Sequence, residues 1–274
     1  SEMCIRDRYM VPLVKGEKIG CFAFTEPATG SDPNLISSKA ELKGNEYIIN
    51  GNKRFITNAP IADLAIVFAK EDEKNISAFI VETDTDGFYP GEPEEMMGLH
   101  GLKVSDITLE DVRIPKENRL GEKGKGFRML VEAMSIGKMN LSAACVGICD
   151  AAIEEAVTYA KQRVQLGRPI ATFQSIQWMI ANMATKTEAA RWMTYRTAFL
   201  KDEGKDIVKE SAMTKLFASE VAVEVTRNAI QIHGSYGYTR DFKVERLYRD
   251  AKAYELTEGT SEIQRALIAP RVIG

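Results

Sequence analysis

The chain changes texture once, and that change limits what it can fold into. Up to about Pro115 the apolar residues fall in short runs, at 19–24, 46–50, 54–57, 64–69, 76–81, 107–109 and 112–114. Short runs with β-branched residues, bounded by turn formers, read as strands. Several of them at close spacing predict a barrel or a sandwich. Asn50-Gly51-Asn52 lies between two of these runs and predicts a hairpin turn there. A glycine-rich, charged hinge follows at 121–126. Beyond it the pattern turns helical: 127–161, then 173–203 ending at Gly204, then 208–232 carrying Leu216, Val221, Val225 and Ile232, then 244–256. A last helix starts at Ser261, and Pro270 is expected to stop or kink it. Long helices with short connections predict a four-helix bundle. The fold class is therefore α+β, multidomain: a middle β-barrel or sandwich domain over 16–120, then an α-helical bundle domain over 121–274. Residues 1–15 read as a non-native or residual segment. Arg6, Asp7 and Arg8 interrupt any signal-peptide core there.

A chain of 274 residues that is 45% hydrophobic and 27% charged has a globular, soluble composition. A net charge of −3 offers nothing to a nucleic-acid backbone. No apolar run approaches the length of a membrane span. Cys4, Cys21, Cys145 and Cys149 form no CxxC pair or secreted framework, which fits a reducing compartment. Cys145 and Cys149, four apart on a helix, read as small buried residues before they read as ligands.

Four stretches carry candidate chemistry. In 22–32, FAFTEPATGSD, a strand runs into small and hydroxylated residues that admit a ligand close to the backbone. It has neither the GxGxxG nor the P-loop pattern, so nicotinamide and nucleoside-triphosphate sites gain no support. In 162–169, QRVQLGRP, a basic helix end is followed by a Gly/Pro stop; it reads as a cap or as an arginine aimed at phosphate. In 231–238, QIHGSYGY, glycines and aromatics make a turn or seat a flat cofactor. His233 stands without a second histidine nearby, which argues against a metal. In 257–265, TEGTSEIQR, Ser261 and Gln264 have capping-box spacing, and Gly259 permits a sharp turn before the helix. Glu258 then sits at a helix mouth, a seat that suits a catalytic base and equally a helix-favouring carboxylate. These residues alone leave both readings open.

Taken together, FAFTEPATGSD, GNKRFITN, EDVRIP, QRVQLGRPIATFQ, MATKTEAAR, KLFASEVA, QIHGSYGY, RDAK and EGTSEIQR resemble the acyl-CoA dehydrogenases, in family order and over nearly everything after about residue 18. That family has an N-terminal helical domain, a middle β domain and a C-terminal four-helix bundle, and this sequence resembles the last two. The resemblance implies FAD, held by Phe22, Ala23, Phe24, Thr25 and Ser31, by Phe55, Ile56 and Thr57, and by Arg163, Phe173 and Gln174. It further assigns to FAD Gln231, Ile232, His233, Gly234 and Ser235, and Thr260, Ser261 and Glu262. Some of these reach FAD from a neighbouring subunit in the family, which implies a homodimer or homotetramer. It implies Glu258 as the base of α,β-desaturation of an acyl-CoA thioester, with hydride transfer to flavin N5. Ser31, Ser135, Lys138 and Gly259 are implied on the substrate side.

Some family members carry the base on the helix after the hinge, but 134–138 here has no carboxylate. Thr257 replaces a common tyrosine. Ser135 and Lys138 stand where many members have Asp and Arg, and lysine lacks the bidentate fork. The implied electron acceptor is an electron-transfer flavoprotein, and the implied location is the cytoplasm, or the mitochondrial matrix in a eukaryote. The alternatives are an enoyl-CoA reductase on the same scaffold, an inactive truncated fragment, and a non-catalytic flavin-binding homologue.

Overall fold

The computed structural model describes residues 5–274; Cys4 lies outside the described residues. The chain divides into two compact units, one of Ser1–Met96 with His100–Val131, the other of Met97–Leu99 with Glu132–Gly274.

The first unit is one mixed sheet. Its strands are β1 (Gly20–Ala23), β2 (Lys39–Lys43), β3 (Glu46–Thr57), β4 (Leu64–Lys70), β5 (Ile76–Glu82), β6 (Phe88–Pro90), β7 (Val104–Pro115) and β8 (Arg119–Leu120). They run in the order β6-β7-β3-β2-β4-β5-β8, with β1 parallel to β4. A single parallel pair, Lys39 with Lys70, joins β2 to β4. Inward residues from both sides of that joint, such as Tyr47, Ile49, Ile107 and Val112 with Val67, Phe79 and Val81, share one apolar core. Each such side chain, once buried, contributes roughly 1.5–3 kcal/mol.

The turn expected at Asn50-Gly51-Asn52 is not a turn. Residues 46–57 form one continuous strand, and Gly51 (φ 152°) lies inside it at an irregularity in the pairing with β7. A Cβ on Gly51 would fall 2.2 Å from Ser38 Oγ and 2.7 Å from Ser38 Cα, so the glycine serves close backbone approach. Asn50 bonds across to Asp111, accepting from its N–H at 2.8 Å and donating to its carboxylate at 2.9 Å. The true hairpin lies one step earlier, where Gly44 (φ 66°) and Asn45 connect the paired residues Lys43 and Glu46.

The start of the described chain is helical, Arg6–Met10 and then Val11–Val14. Tyr9 is buried against Leu64 and Ile80, and its hydroxyl donates to Glu82 at 3.1 Å. This segment, without visible period in the sequence, covers an apolar patch of the sheet with one aromatic ring.

The second unit is the helical bundle: α1 (Gly126–Gln162), whose first turns belong to the first unit, α2 (Gln174–Asp202), α3 (Val208–His233), α4 (Lys243–Leu256) and α5 (Ser261–Ile273). Its core is built largely from small residues. Cys145, Cys149, Ala152, Ala156 and Ala160 on α1 meet Ala218, Val221, Ala222, Val225, Ala229 and Ile232 on α3. Small side chains set a short distance between helix axes. Leu216, expected in this stripe, is only half-buried. Helix α1 also passes, by length and composition only, as apolar enough to cross a membrane, with a window of mean hydropathy 1.3. No uninterrupted apolar run of that length exists in the sequence, but charges are sparse across the middle of this helix. Burial pushes the Cys21, Cys145 and Cys149 thiols up to about 12, as for core residues. Pro270 does not end α5, which runs on to Ile273.

Candidate active site

The turn between α4 and α5 is one of the strained points of the bundle. Helix α4 closes with Thr257 N–H donating to Ala253 O at 3.0 Å. Glu258 (φ 56°) and Gly259 (φ 86°) then take left-handed conformations in succession. For glutamate this is unfavourable by about 1 kcal/mol or more, and it persists only where neighbours hold it. Two side chains do so. Gln264, fully buried, donates from Nε2 to the carbonyls of Glu258 (3.1 Å) and Gly259 (2.7 Å). Lys215 on α3, also fully buried, donates from Nζ to the carbonyls of Gly259 (2.8 Å) and Glu255 (3.3 Å). The cap of α5 is Thr260, whose Oγ1 accepts from Ile263 N–H at 3.4 Å. The N-cap is therefore Thr260 rather than Ser261, and the expected capping box does not form: Ile263 has no side-chain acceptor to reciprocate, and Gln264 is occupied with the turn.

The left-handed backbone aims the Glu258 carboxylate at α1. A Cβ on Gly137 would lie 2.8 Å from its Oε1 and 2.9 Å from its Oε2, so only glycine at 137 leaves the carboxylate its space. Glu258 Oε2 is buried and has no hydrogen-bond partner; the same is true of Ser261 Oγ and Gln264 Oε1. Burial raises the Glu258 carboxyl above the usual carboxylate range, against the opposing pull of Lys138 and Lys215. Burial likewise lowers Lys138, and brings Lys215 down to about 8. A carboxylate with an elevated proton affinity and an unsatisfied oxygen is equipped to take a proton from a group placed before it.

The other sequence-predicted residues divide by exposure. In the second unit Thr260, Ser261 and Glu262 lie at the N-terminus of α5, with Thr260 as its cap. Arg163, Gln174, Gln231, Gly234 and Ser235 are exposed, and Phe173 is half-buried. Arg163 lies over the Tyr236 ring at 5.5 Å, and Arg168 over Phe173 at 4.4 Å. Ile232 and His233 are buried. His233 Nδ1 lies 2.8 Å from Ala229 O, and its ring stacks on Tyr159 at 4.3 Å, so both side chains serve the bundle. Ser135 and Lys138, expected on the substrate side, are both buried in the unit, and the charge of Lys138 acts on Glu258.

In the first unit Phe22, Ser31, Phe55 and Thr57 are exposed and Thr25 is half-buried. Ala23, Phe24 and Ile56 are turned into the core, so they offer a ligand backbone alone. Phe55 has a left-handed backbone (φ 55°), and Arg54 lies over its ring at 4.3 Å while bonding Asp106 at 2.5 Å. The sequence reading missed the centre of this region. Lys53 and Glu26 form a wholly buried ion pair at 2.8 Å. Lys53 also donates to Phe68 O (2.6 Å) and Phe24 O (3.3 Å), and Glu26 accepts from Ser37 and Ser38. Their separation of 27 residues hid the pair; a Lys amid strand residues was its only signal.

Comparison with known proteins decides the family. The acyl-CoA dehydrogenase middle-domain model matches residues 21–112, and the acyl-CoA dehydrogenase C-terminal-domain model matches residues 124–273. The chain belongs to the acyl-CoA dehydrogenase family. It is 46% identical to the 3-(aryl)acrylate reductase of Clostridium sporogenes, over 98% of this chain and 72% of that one. It is 45% identical to caffeyl-CoA reductase-Etf complex subunit CarC of Acetobacterium woodii, over 96% and 70%. Among solved structures, butyryl-CoA dehydrogenase from Megasphaera elsdenii superposes with a TM-score of 0.96 at 41% identity, covering 98% of this chain and 72% of that one. An acyl-CoA dehydrogenase from Bacillus anthracis complexed with FAD gives 0.93 at 37%, covering 97% and 49%. The chain is thus an oxidoreductase and a flavoprotein of this family, with FAD as its cofactor. Its own residues fit that group: the first unit exposes planar rings at Phe22 and Phe55, and the second has an unpartnered hydroxyl at Ser261.

Proposed function

We propose that this acyl-CoA dehydrogenase desaturates an acyl-CoA thioester at its α and β carbons, with Glu258 as the base that removes the α-proton. The observation that carries this reading is the Glu258 carboxylate itself, on a left-handed residue, with one buried oxygen free of any partner and glycine as its neighbour on α1. An acyl α-proton is weakly acidic, so the base needs an elevated proton affinity and a water-poor setting; burial supplies both. FAD supplies the acceptor for the hydride equivalent that leaves the β-carbon, chemistry no side chain can perform. Phe22, Phe55, Thr57 and Ser31 of the β unit and Thr260, Ser261 and Glu262 of the bundle would hold it, with Arg163, Phe173 and Gln174 and the exposed residues Gln231, Gly234 and Ser235. Gly259 stands beside the base on the substrate side. The α2 face bearing exposed Trp178, Trp192, Tyr195 and Phe199 supports a homodimer or homotetramer. The acceptor is an electron-transfer flavoprotein, in keeping with the Etf complex of the A. woodii relative, and the compartment is the cytoplasm.

The test is anaerobic. FAD-loaded protein mixed with butyryl-CoA is expected to lose its yellow absorbance, and Glu258→Gln is expected not to. Bleaching that survives Glu258→Gln removes Glu258 from this role.

A second reading has its own support. The C. sporogenes and A. woodii relatives are named reductases. Run in reverse, the same group, starting as the protonated carboxyl, delivers its proton to the α-carbon of an enoyl-CoA and is left as the carboxylate. Comparing reduction of an enoyl-CoA with oxidation of the saturated thioester, each against its own redox partner, separates the two directions.

A further inference from the structure

Lys215 has no place in the mechanism above, yet few groups in the bundle are less expected. It is wholly withdrawn from water, and both of its recorded hydrogen bonds go to uncharged main-chain carbonyls. A methionine or leucine would fill that volume without desolvating a charge, and such replacements of buried ions are often neutral or stabilising. What distinguishes the two carbonyls is their position: Glu255 and Gly259 bracket Glu258.

We propose that Lys215 is the positioning residue of the catalytic turn, pinning the chain on both sides of Glu258 and presenting a positive charge to its carboxylate. This rests on the reading of Glu258 as the base. The backbone argument is geometric. The last turn of α4 runs directly into the left-handed pair Glu258-Gly259, and one Lys215 ammonium ties both to α3. Gln264 holds the same pair from α5, whereas Lys215 holds it from α3 together with the last turn of α4, on the side from which the Glu258 carboxylate reaches Gly137.

The charge argument concerns which form of Glu258 is present. The groups that face Lys215 are Lys138 and Cys145 from α1, Glu255 from α4 and Glu258 from the turn. Lys138, itself acted on by Arg271 from α5, is the other cation facing the base. With Lys215 charged, Glu258 ionises more readily than burial alone allows. Removing that charge favours the protonated carboxyl, which cannot accept the α-proton.

The experiment uses the FAD-loaded protein with Lys215→Met and Lys215→Gln. Each is checked for folding by thermal melting and for flavin by absorbance. The rate of anaerobic bleaching by butyryl-CoA is then followed against pH. A displaced base loses about 10²-fold in rate. The expected result is a loss of that order in both variants, with the acid limb of the profile moved to higher pH. A purely structural role would leave the limb where it was. Folded, flavin-loaded variants with an unmoved limb overturn the proposal, and so does failure of both variants to fold, which would assign Lys215 to the fold alone. If Lys215→Met alone fails to fold, Lys215→Gln decides by the same two readouts. Glu258→Gln run beside them separates the failures: bleaching that survives it refutes the base itself, whatever Lys215 does.

Discussion

Glu26 and Glu258 are both carboxylates drawn away from water into the influence of buried lysines, and their surroundings lead them to opposite ends. Around Glu26 every demand is met: Lys53 at 2.8 Å, the Ser37 N–H and hydroxyl, and the Ser38 N–H. Burial works to raise its pKa, but Lys53 and these donors outweigh it and hold the carboxyl down at about 2. Around Glu258 the lysines act without a recorded bond to the carboxylate, one oxygen has no donor, and burial prevails. Burial therefore does not make a carboxylate reactive. Burial with its hydrogen bonds withheld does, and here Lys215 spends its donors on the backbone of the turn rather than on the acid.

The contrast can be attacked at several points. Glu258→Gln is expected to lower the bleaching rate by about 10²–10⁴-fold while leaving the melting temperature equal to or above that of the parent. Lys53→Met leaves Glu26 buried and charged without its cation, and is expected to lose about 3–5 kcal/mol of stability in urea unfolding. Replacing both partners with apolar residues is expected to recover most of that loss. Gly137→Ala introduces a methyl group where the Glu258 carboxylate lies, within 2.9 Å of both oxygens. Its expected signature is roughly a tenfold slower reaction in a protein that melts normally. A loss of stability without a loss of rate would show that the carboxylate points elsewhere.

Titration sharpens the contrast further. Glu26 has a folded pKa below its ordinary value of 4.5, so its stabilisation is present above that value and fades as pH falls toward about 2. Glu258 is raised, so its contribution is complete below 4.5 and is lost as pH climbs through the elevated value. Urea midpoints measured across this range are expected to show the parent losing its advantage over Glu26→Gln on acidification, and falling behind Glu258→Gln as pH rises. Thr260→Ala, which removes only a 3.4 Å cap, is expected to cost about 0.5–1 kcal/mol.

Much of this was legible from the residues, and the misreadings share a cause. The helices stood out because their periodicity is local, and Glu258 because glycine and a cap follow it. Gly51 was misread as a turn because its reason lies on another strand, at Ser38. Likewise the Lys53–Glu26 pair depends on pairing across the sheet, and no spacing rule announces it. In α3 the eye is drawn to Leu216, whereas Ala218 and Ala222 carry the contact: a seam of small residues has a weak hydrophobic signal. Lys215 lay within KLFASEVA as one more charged helix residue. Only its depth in the bundle, against two carbonyls forty or more residues onward, set it apart.

Helix α5 is most deeply packed in its first turn, where Ser261 and Gln264 are buried; Leu267 and Ile268 are half-buried, and Val272 and Ile273 at its far end are exposed. The latch on the base thus belongs to a segment with little cooperative anchoring, and such segments open at lower free energy than the domain around them. In hydrogen exchange the amides of 261–265 are expected to exchange ahead of those in α3, and under mild denaturant turnover is expected to vanish with them while the bundle's circular dichroism persists.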